Sequence, residues 1–325
     1  MEIALQFVLL ALGFVMLAKG ADWFVEGAAG IAMRFGIPQL VIGLTIVAMG
    51  TSAPEAAVSI AAAVKGNADI TIGNIVGSNI LNILIILGLA ASIVPIAVAR
   101  STVRIEIPFM IGVTALLFYQ GRDGSISLAD GGVLMVAFAV YMMYLYTMAM
   151  KSNVDSDLEE PGLPLGRCLL GAVGGLALII AGSNVTVGAA TSIATYAGLS
   201  ERFIGLTIVA LGTSLPELFT SVAAARRGNA DIAIGNIVGS NIFNILFVVG
   251  LSSLIIDIPF ASAFNFDTYV ALGAAVLLWL CVLRIPQPKL SAACFTANSC
   301  PADTGQELRL MKTLKRRKRY IVFSY

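Results

Sequence analysis

Of 325 residues, 58% are hydrophobic and 12% charged, and 20 Lys and Arg against 19 Asp and Glu leave a net charge of +1. Soluble domains carry about 25% charged residues, so this composition excludes a soluble globular fold and identifies an all-α polytopic membrane protein; the net charge says nothing about partners, and the bilayer, not nucleic acid, is the expected one. The chain has no histidine, which excludes Ser-His-Asp and Cys-His catalysis and His-ligated metal centres. No other nucleophile, base or metal triad is visible, so neither an enzyme nor a bound cofactor is expected. Cys168, Cys281, Cys294 and Cys300 show neither metal-ligand spacing nor a disulfide framework.

A spanning helix needs about 20 apolar residues. In chain order the apolar runs predict spans over 3–18, 38–64, 70–97, 105–119, 127–149, 168–193, 203–225, 231–258 and 267–283. The first run follows Met1-Glu2 without the basic segment of a signal peptide and reads as a membrane helix. Trp23 and Trp279 read as interface anchors. Residues 151–167, with Asp155, Asp157, Glu159, Glu160 and Pro161, are polar and aperiodic and form a linker. The chain divides into a first unit of five spans (1–150), the linker (151–167), a second unit with four recognisable spans (168–287) and a polar basic tail (288–325).

One block occurs twice, at a constant offset of 162. The first copy runs Gly50-Thr51-Ser52-Ala53-Pro54-Glu55, then Gly73-Asn74-Ile75-Val76-Gly77-Ser78-Asn79, then Asn82. The second runs Gly212-Thr213-Ser214-Leu215-Pro216-Glu217, then Gly235-Asn236-Ile237-Val238-Gly239-Ser240-Asn241, then Asn244. Between Val41–Leu89 and Phe203–Leu251, 35 of 49 positions are identical. The offset also pairs Gly20-Ala21-Asp22 with Gly182-Ser183-Asn184, so the repeating unit begins at the first span and holds five. An odd number of crossings brings the second unit in from the opposite side, which predicts inverted repeats with a shared site at their interface.

With the N-terminus outside, Lys19, Arg34, Arg100, Arg104, Lys151, Arg167, Arg226 and Arg227 lie inside and Lys65, Arg122 and Arg202 outside. Positive residues favour the cytoplasm, so the central linker is expected there. The repeat also predicts a tenth span from about residue 290, where the chain instead turns polar and ends in Lys315-Arg316-Arg317-Lys318-Arg319. Two readings stand: a cytoplasmic tail that is solvated or binds lipid headgroups, or a tenth helix lost by truncation or frameshift.

A carboxylate in a membrane span is a functional hypothesis by default, with snorkelling or structural pairing as the plainer reading for Glu55 and Glu217. Pro54 and Pro216 have no amide hydrogen and clash with the carbonyls of Gly50 and Gly212, which weakens the helix there. A broken helix at membrane depth lines a cavity or is buried in protein. It gathers free carbonyls, the Thr51-Ser52 and Thr213-Ser214 hydroxyls and one carboxylate, a hard-oxygen set suited to calcium or sodium. Ser78 and Asn82, like Ser240 and Asn244, stand four apart on one helix face. Gly73 and Gly77, like Gly235 and Gly239, have the spacing for close helix approach. Two carboxylates supply −2, which one calcium ion neutralises and sodium ions replace; protons are possible competitors. Asn79 and Asn241 suit helix-to-helix hydrogen bonds or ion contact equally. Asp69 and Asp231 read as caps of spans three and eight, and Asp22 as capping or entrance chemistry at a span end.

The doubled G-T-S-x-P-E and G-N-I-V-G-S-N-I-x-N motifs resemble the α-repeats of the sodium/calcium exchanger (calcium/cation antiporter) superfamily, most closely its prokaryotic branch of ten-helix calcium/sodium antiporters. The resemblance covers residues 1 to about 287. It implies an N-terminus outside, alternating access, and electrogenic exchange of calcium for sodium; the compact chain, without large regulatory loops, points to a prokaryotic inner membrane. It carries ion-ligand roles to Thr51, Ser52, Glu55, Ser78 and Asn82, to Thr213, Ser214, Glu217, Ser240 and Asn244, and to the backbone oxygens of Ala48 and Ala210. Asn at both 82 and 244 leaves two fixed negatives, which makes potassium dependence unexpected. Alternatives are a calcium/proton antiporter, a cation channel, and an inactive truncated copy.

Overall fold

A computed structural model describes residues 2–66, 68–93, 96, 98–151, 163–199 and 210–283. They form eleven helical segments: α1 (Glu2–Arg34), α2 (Gln39–Thr51), α3 (Ala53–Val64), α4 (Asp69–Ile93), α5 (Thr102–Asp123), α6 (Leu128–Lys151), α7 (Leu165–Tyr196), α8 (Ala210–Thr213), α9 (Leu215–Arg226), α10 (Ala230–Ile255) and α11 (Ala263–Leu283). Seven are long and apolar enough to cross a membrane, and the pair α2 and α3, bent by 51°, makes an eighth. Each segment falls on an expected span; the start of the span expected over 203–225, and everything said of the tail and of a tenth helix, lies outside the described residues.

The first helix corrects the expected span of 3–18. Its 33 residues extend about 50 Å at 1.5 Å per residue, well beyond the roughly 30 Å hydrocarbon core. Lys19 does not end it, because the side chain is exposed on a helix whose buried face carries small and apolar residues. Leu5, Val8, Leu12 and Val15 form its outward stripe. Lys19 and Asp22 are therefore mid-helix residues rather than loop or cap residues.

Helices α1 and α7 lie against each other along glycines. A Cβ on Gly13 would stand 3.1 Å from the Gly182 carbonyl, and one on Gly20 would stand 2.9 Å from that of Gly175. Rising numbers in α1 meet falling numbers in α7, so the helices run antiparallel. Because 13 and 20 recur as 175 and 182 at the repeat offset, the pairing maps onto itself when the repeats are exchanged, as an inverted repeat requires. Gly175→Ala drives a Cβ into the Phe24 amide nitrogen, and overpacking of this kind costs about 1–3 kcal/mol. Thermal unfolding in detergent is expected to show that loss for Gly175→Ala and none for Gly174→Ala, whose Cβ meets nothing within 4 Å.

The core is α10. Every residue from Ile232 to Phe243 is buried, and a Cβ on Gly239 would lie 2.8 Å from the Leu44 Cα of α2. The expected close approach thus holds for Gly235 and Gly239. The equivalent partners of Gly73 and Gly77 fall near residues 205 and 206, outside the described residues. Two short strands, β1 (Ser125–Ile126) and β2 (Ile258–Pro259), pair antiparallel with Ser125 opposite Pro259. They tie the α5–α6 and α10–α11 connections together, which puts both on one face.

Near the start of the α9–α10 connection, Arg227 reaches Glu26 of α1 at 3.1 Å and Asp22 at 3.5 Å. The repeat-equivalent positions are Lys65, Gly188 and Asn184, so the second copy of this ion pair is not encoded. Two further expectations are corrected. Asp231 lies inside the first turn of its helix, whose N-cap is Asn229 with no side-chain cap bond; it favours the positive helix terminus without capping it. Ala68, not Asp69, holds the N-cap position of the earlier helix. Trp279 Nε1 donates to the Val103 carbonyl of α5 at 2.8 Å, while Trp23 is 53% exposed.

Candidate ion-binding site

The two motifs break their helices at equivalent places. Ser52 (φ −80°, ψ 6°) and Ser214 (φ −92°, ψ 4°) leave helical geometry, and Pro54 and Pro216 sit in the first turns of α3 and α9. The Gly212 carbonyl, one of the two weakened by these prolines, is taken by the Ser183 hydroxyl of α7 at 2.7 Å. Glu55 and Glu217 stand in the first turns of the new helices, where the helix dipole favours a carboxylate. They are 1% and 0% exposed.

Each glutamate is held by the opposite repeat. Ser52 donates to Glu217 Oε1 at 2.8 Å, and Ser214 donates to Glu55 Oε1 at 3.2 Å. Ser78 Oγ also lies 3.2 Å from Glu55 Oε1 and 3.0 Å from Ser214 Oγ; with one proton each, the two hydroxyls satisfy two of these three contacts at a time. Thr51 bonds Asn236 Oδ1 at 2.9 Å and the Ala48 carbonyl at 3.3 Å, and Ser240 donates to that carbonyl at 3.4 Å. Ala210 and Thr213 open and close α8 at the positions equivalent to Ala48 and Thr51.

Four asparagines behind the glutamates form a two-fold network. Asn79 Nδ2 donates to the Asn241 carbonyl at 3.1 Å, and Asn241 Nδ2 donates to the Asn79 carbonyl at 3.2 Å. Their side-chain oxygens accept from Asn82 at 3.0 Å and Asn244 at 3.1 Å. The pairing decides the open reading of Asn79 and Asn241 in favour of helix-to-helix bonds. With their nitrogens committed, Asn82 and Asn244 keep Oδ1 free. Both residues begin π-helical turns, Asn82–Leu87 and Asn244–Val249, a feature frequent at functional sites.

The sequence reading assigned no role to Asn74 and Asn236. Asn74 donates to Ser59 Oγ at 2.9 Å and to the Glu55 carbonyl at 3.3 Å; Asn236 repeats this with Ser221 at 2.9 Å and Glu217 at 3.4 Å. Their recurrence in both copies of the motif was the available signal.

What remains is a set of acceptors. Glu55 Oε2, Glu217 Oε2, Asn82 Oδ1 and Asn244 Oδ1 are buried and have no hydrogen-bond partner. Unpartnered buried acceptors are costly, and hard oxygens carrying two carboxylate charges match a hard cation. No group of three His, Cys, Asp or Glu side chains able to hold a metal occurs among the described residues; the oxygen set is mostly amide, hydroxyl and backbone.

An inverted-repeat membrane fold with broken helices and a buried, acidic oxygen site between the repeats defines a secondary cation antiporter. The chain belongs to the sodium/calcium exchanger protein family, whose model matches residues 5–147 and 168–297. It is 42% identical over 293 residues to the putative antiporter CaxA of Alkalimonas amylolytica, covering 88% of this chain and 91% of that protein. It is 39% identical over 297 residues to the inner membrane protein YrbG of Escherichia coli, covering 86% and 90%. Its fold matches that of the sodium-calcium exchanger NCX_Mj with a TM-score of 0.76 at 35% identity, over 86% of this chain and 91% of that one.

Proposed function

We propose that this antiporter exchanges calcium for sodium by alternating access, with the ions held between the two repeats. The observation that carries this reading is the set of four buried, unpartnered oxygens on Glu55, Glu217, Asn82 and Asn244. Ionised, the glutamates supply −2, which one calcium ion neutralises; sodium ions take overlapping oxygens in its place. Calcium tolerates an irregular cage of amides, hydroxyls and carboxylates, whereas magnesium demands compact octahedral geometry and dehydrates reluctantly. Ser52, Ser78, Ser214 and Ser240 join the ligand set with Thr51, Thr213 and the carbonyls of Ala48 and Ala210. Helices α1 and α7, packed on each other through backbone contacts, move as one unit past the site. The membrane is a prokaryotic inner membrane, with the N-terminus outside and the linker in the cytoplasm.

The test is calcium uptake into proteoliposomes under an imposed sodium gradient or an imposed pH gradient. Uptake is expected to follow sodium. Uptake that follows pH and ignores sodium overturns the reading in favour of proton coupling, and calcium flux without any counter-ion identifies a channel.

A further inference from the structure

One more carboxylate lies buried in a span, outside the site described above. Glu106 ends a π-helical turn, Thr102–Glu106, at the start of α5, and is 0% exposed. Its Oε1 accepts from the Tyr144 hydroxyl of α6 at 2.6 Å. Its Oε2 has no hydrogen-bond partner, and neither does Thr102 Oγ1, one turn away, nor the Tyr141 hydroxyl. Tyr141 is 4% exposed and stacks on Phe109 of α5 with ring centroids 5.0 Å apart and on Tyr144, the Glu106 partner, at 6.3 Å. Among the described residues Glu106 makes no ion pair.

An isolated carboxylate charge in an apolar interior must be neutralised. A proton on Oε2 removes the charge and makes one hydrogen bond, which leaves at least one of the two hydroxyls as it was. A water molecule bridges polar groups but leaves the charge. A small monovalent cation answers both demands: it cancels one negative charge and takes carboxylate, phenol and threonine oxygens as ligands. Oxygen ligands select hard ions, and a single carboxylate matches the charge of sodium rather than calcium. The π-helical turn adds a local irregularity of the kind that marks functional sites. We propose that Glu106, Thr102, Tyr141 and Tyr144 form a second cation site, between α5 and α6, that takes one sodium ion.

Equilibrium binding of radiolabelled sodium to the purified full chain tests this, with radiolabelled calcium in parallel and thermal unfolding as the check on folding. E106Q keeps an acceptor for Tyr144 and removes the charge. It is expected to lower the saturating sodium stoichiometry by one ion and to leave that of calcium unchanged. The same loss is expected when E106Q is added to an E55Q/E217Q background, so failure of the calcium/sodium reading of the central site leaves this result readable. Equal sodium stoichiometry with and without E106Q, or loss of calcium in place of sodium, overturns the proposal. Should E106Q not fold, T102V combined with Y141F removes two oxygens without touching the carboxylate. Its sodium affinity at this site is expected to drop about tenfold, the effect of a 1.4 kcal/mol change, and an unchanged affinity overturns the proposal.

Discussion

Glu55→Gln and Glu217→Gln are each expected to abolish calcium exchange while leaving the protein folded. Glutamine keeps the shape and an acceptor oxygen, so the hydroxyls of Ser214 and Ser78, or of Ser52, retain a partner. What disappears is one of two negative charges in a site sealed from solvent. A unit charge pair about 4 Å apart is worth about 4 kcal/mol at an effective dielectric near 20, and calcium, with twice the charge of sodium, loses twice as much. Desolvation of the ion offsets part of this. Calcium affinity is therefore expected to fall by at least about 10²-fold, the equivalent of roughly 2.7 kcal/mol, and sodium affinity by a smaller factor. Calcium and sodium titrations of the purified variants measure both. Equal losses for the two ions would show that the glutamates act through shape rather than charge.

The second large effect is expected at the asparagine network. Asn241→Leu removes the donor to the Asn79 carbonyl and the acceptor of Asn82 Nδ2 in one step. Each buried group left unpaired costs about 1–3 kcal/mol, so a stability loss of about 2–5 kcal/mol is expected, read by thermal unfolding in detergent. Calcium binding weakens as well, because Asn82 no longer has its nitrogen held and its oxygen presented. Asn79→Leu, the symmetric change, is expected to match it through Asn244. Residues in one network are non-additive, so the double variant should lose clearly less than the sum of the two. Strict additivity would mean that the four amides act independently.

The centre of this molecule was legible because its chemistry contradicts its surroundings. Glu55 and Glu217 are acids in apolar runs, Pro54 and Pro216 break helices by known sterics, and the constant offset with odd span parity yields inversion without coordinates. Contacts between distant segments were not legible. That Asn79 meets Asn241 across the two-fold, and thereby frees Asn82 and Asn244 for other work, depends on how α4 and α10 cross. The π-helical turns at Asn82 and Asn244 have no sequence signature, since an extra residue per turn is a response to packing. The first helix was cut short because Lys19 and Asp22 look like a boundary in one dimension; on the helix they fall on an outward face. Glu106 lies inside the expected span 105–119, so the rule applied to Glu55 applies equally there.

Arg227 joins α1 to the end of α9 through Asp22 and Glu26, while the equivalent trio of Lys65, Asn184 and Gly188 offers no such pair. Under the proposed cycle the repeats trade roles, and a perfectly matched pair of halves would give two end states of equal energy. A partly exposed ion pair is worth about 0.2–1 kcal/mol, which weights one end state by a factor of roughly 1.4 to 5. The carrier is thus a balance with a small weight on one pan: tilted enough to set a resting position, and light enough for an ordinary ion gradient, or salt on that face alone, to tip it back.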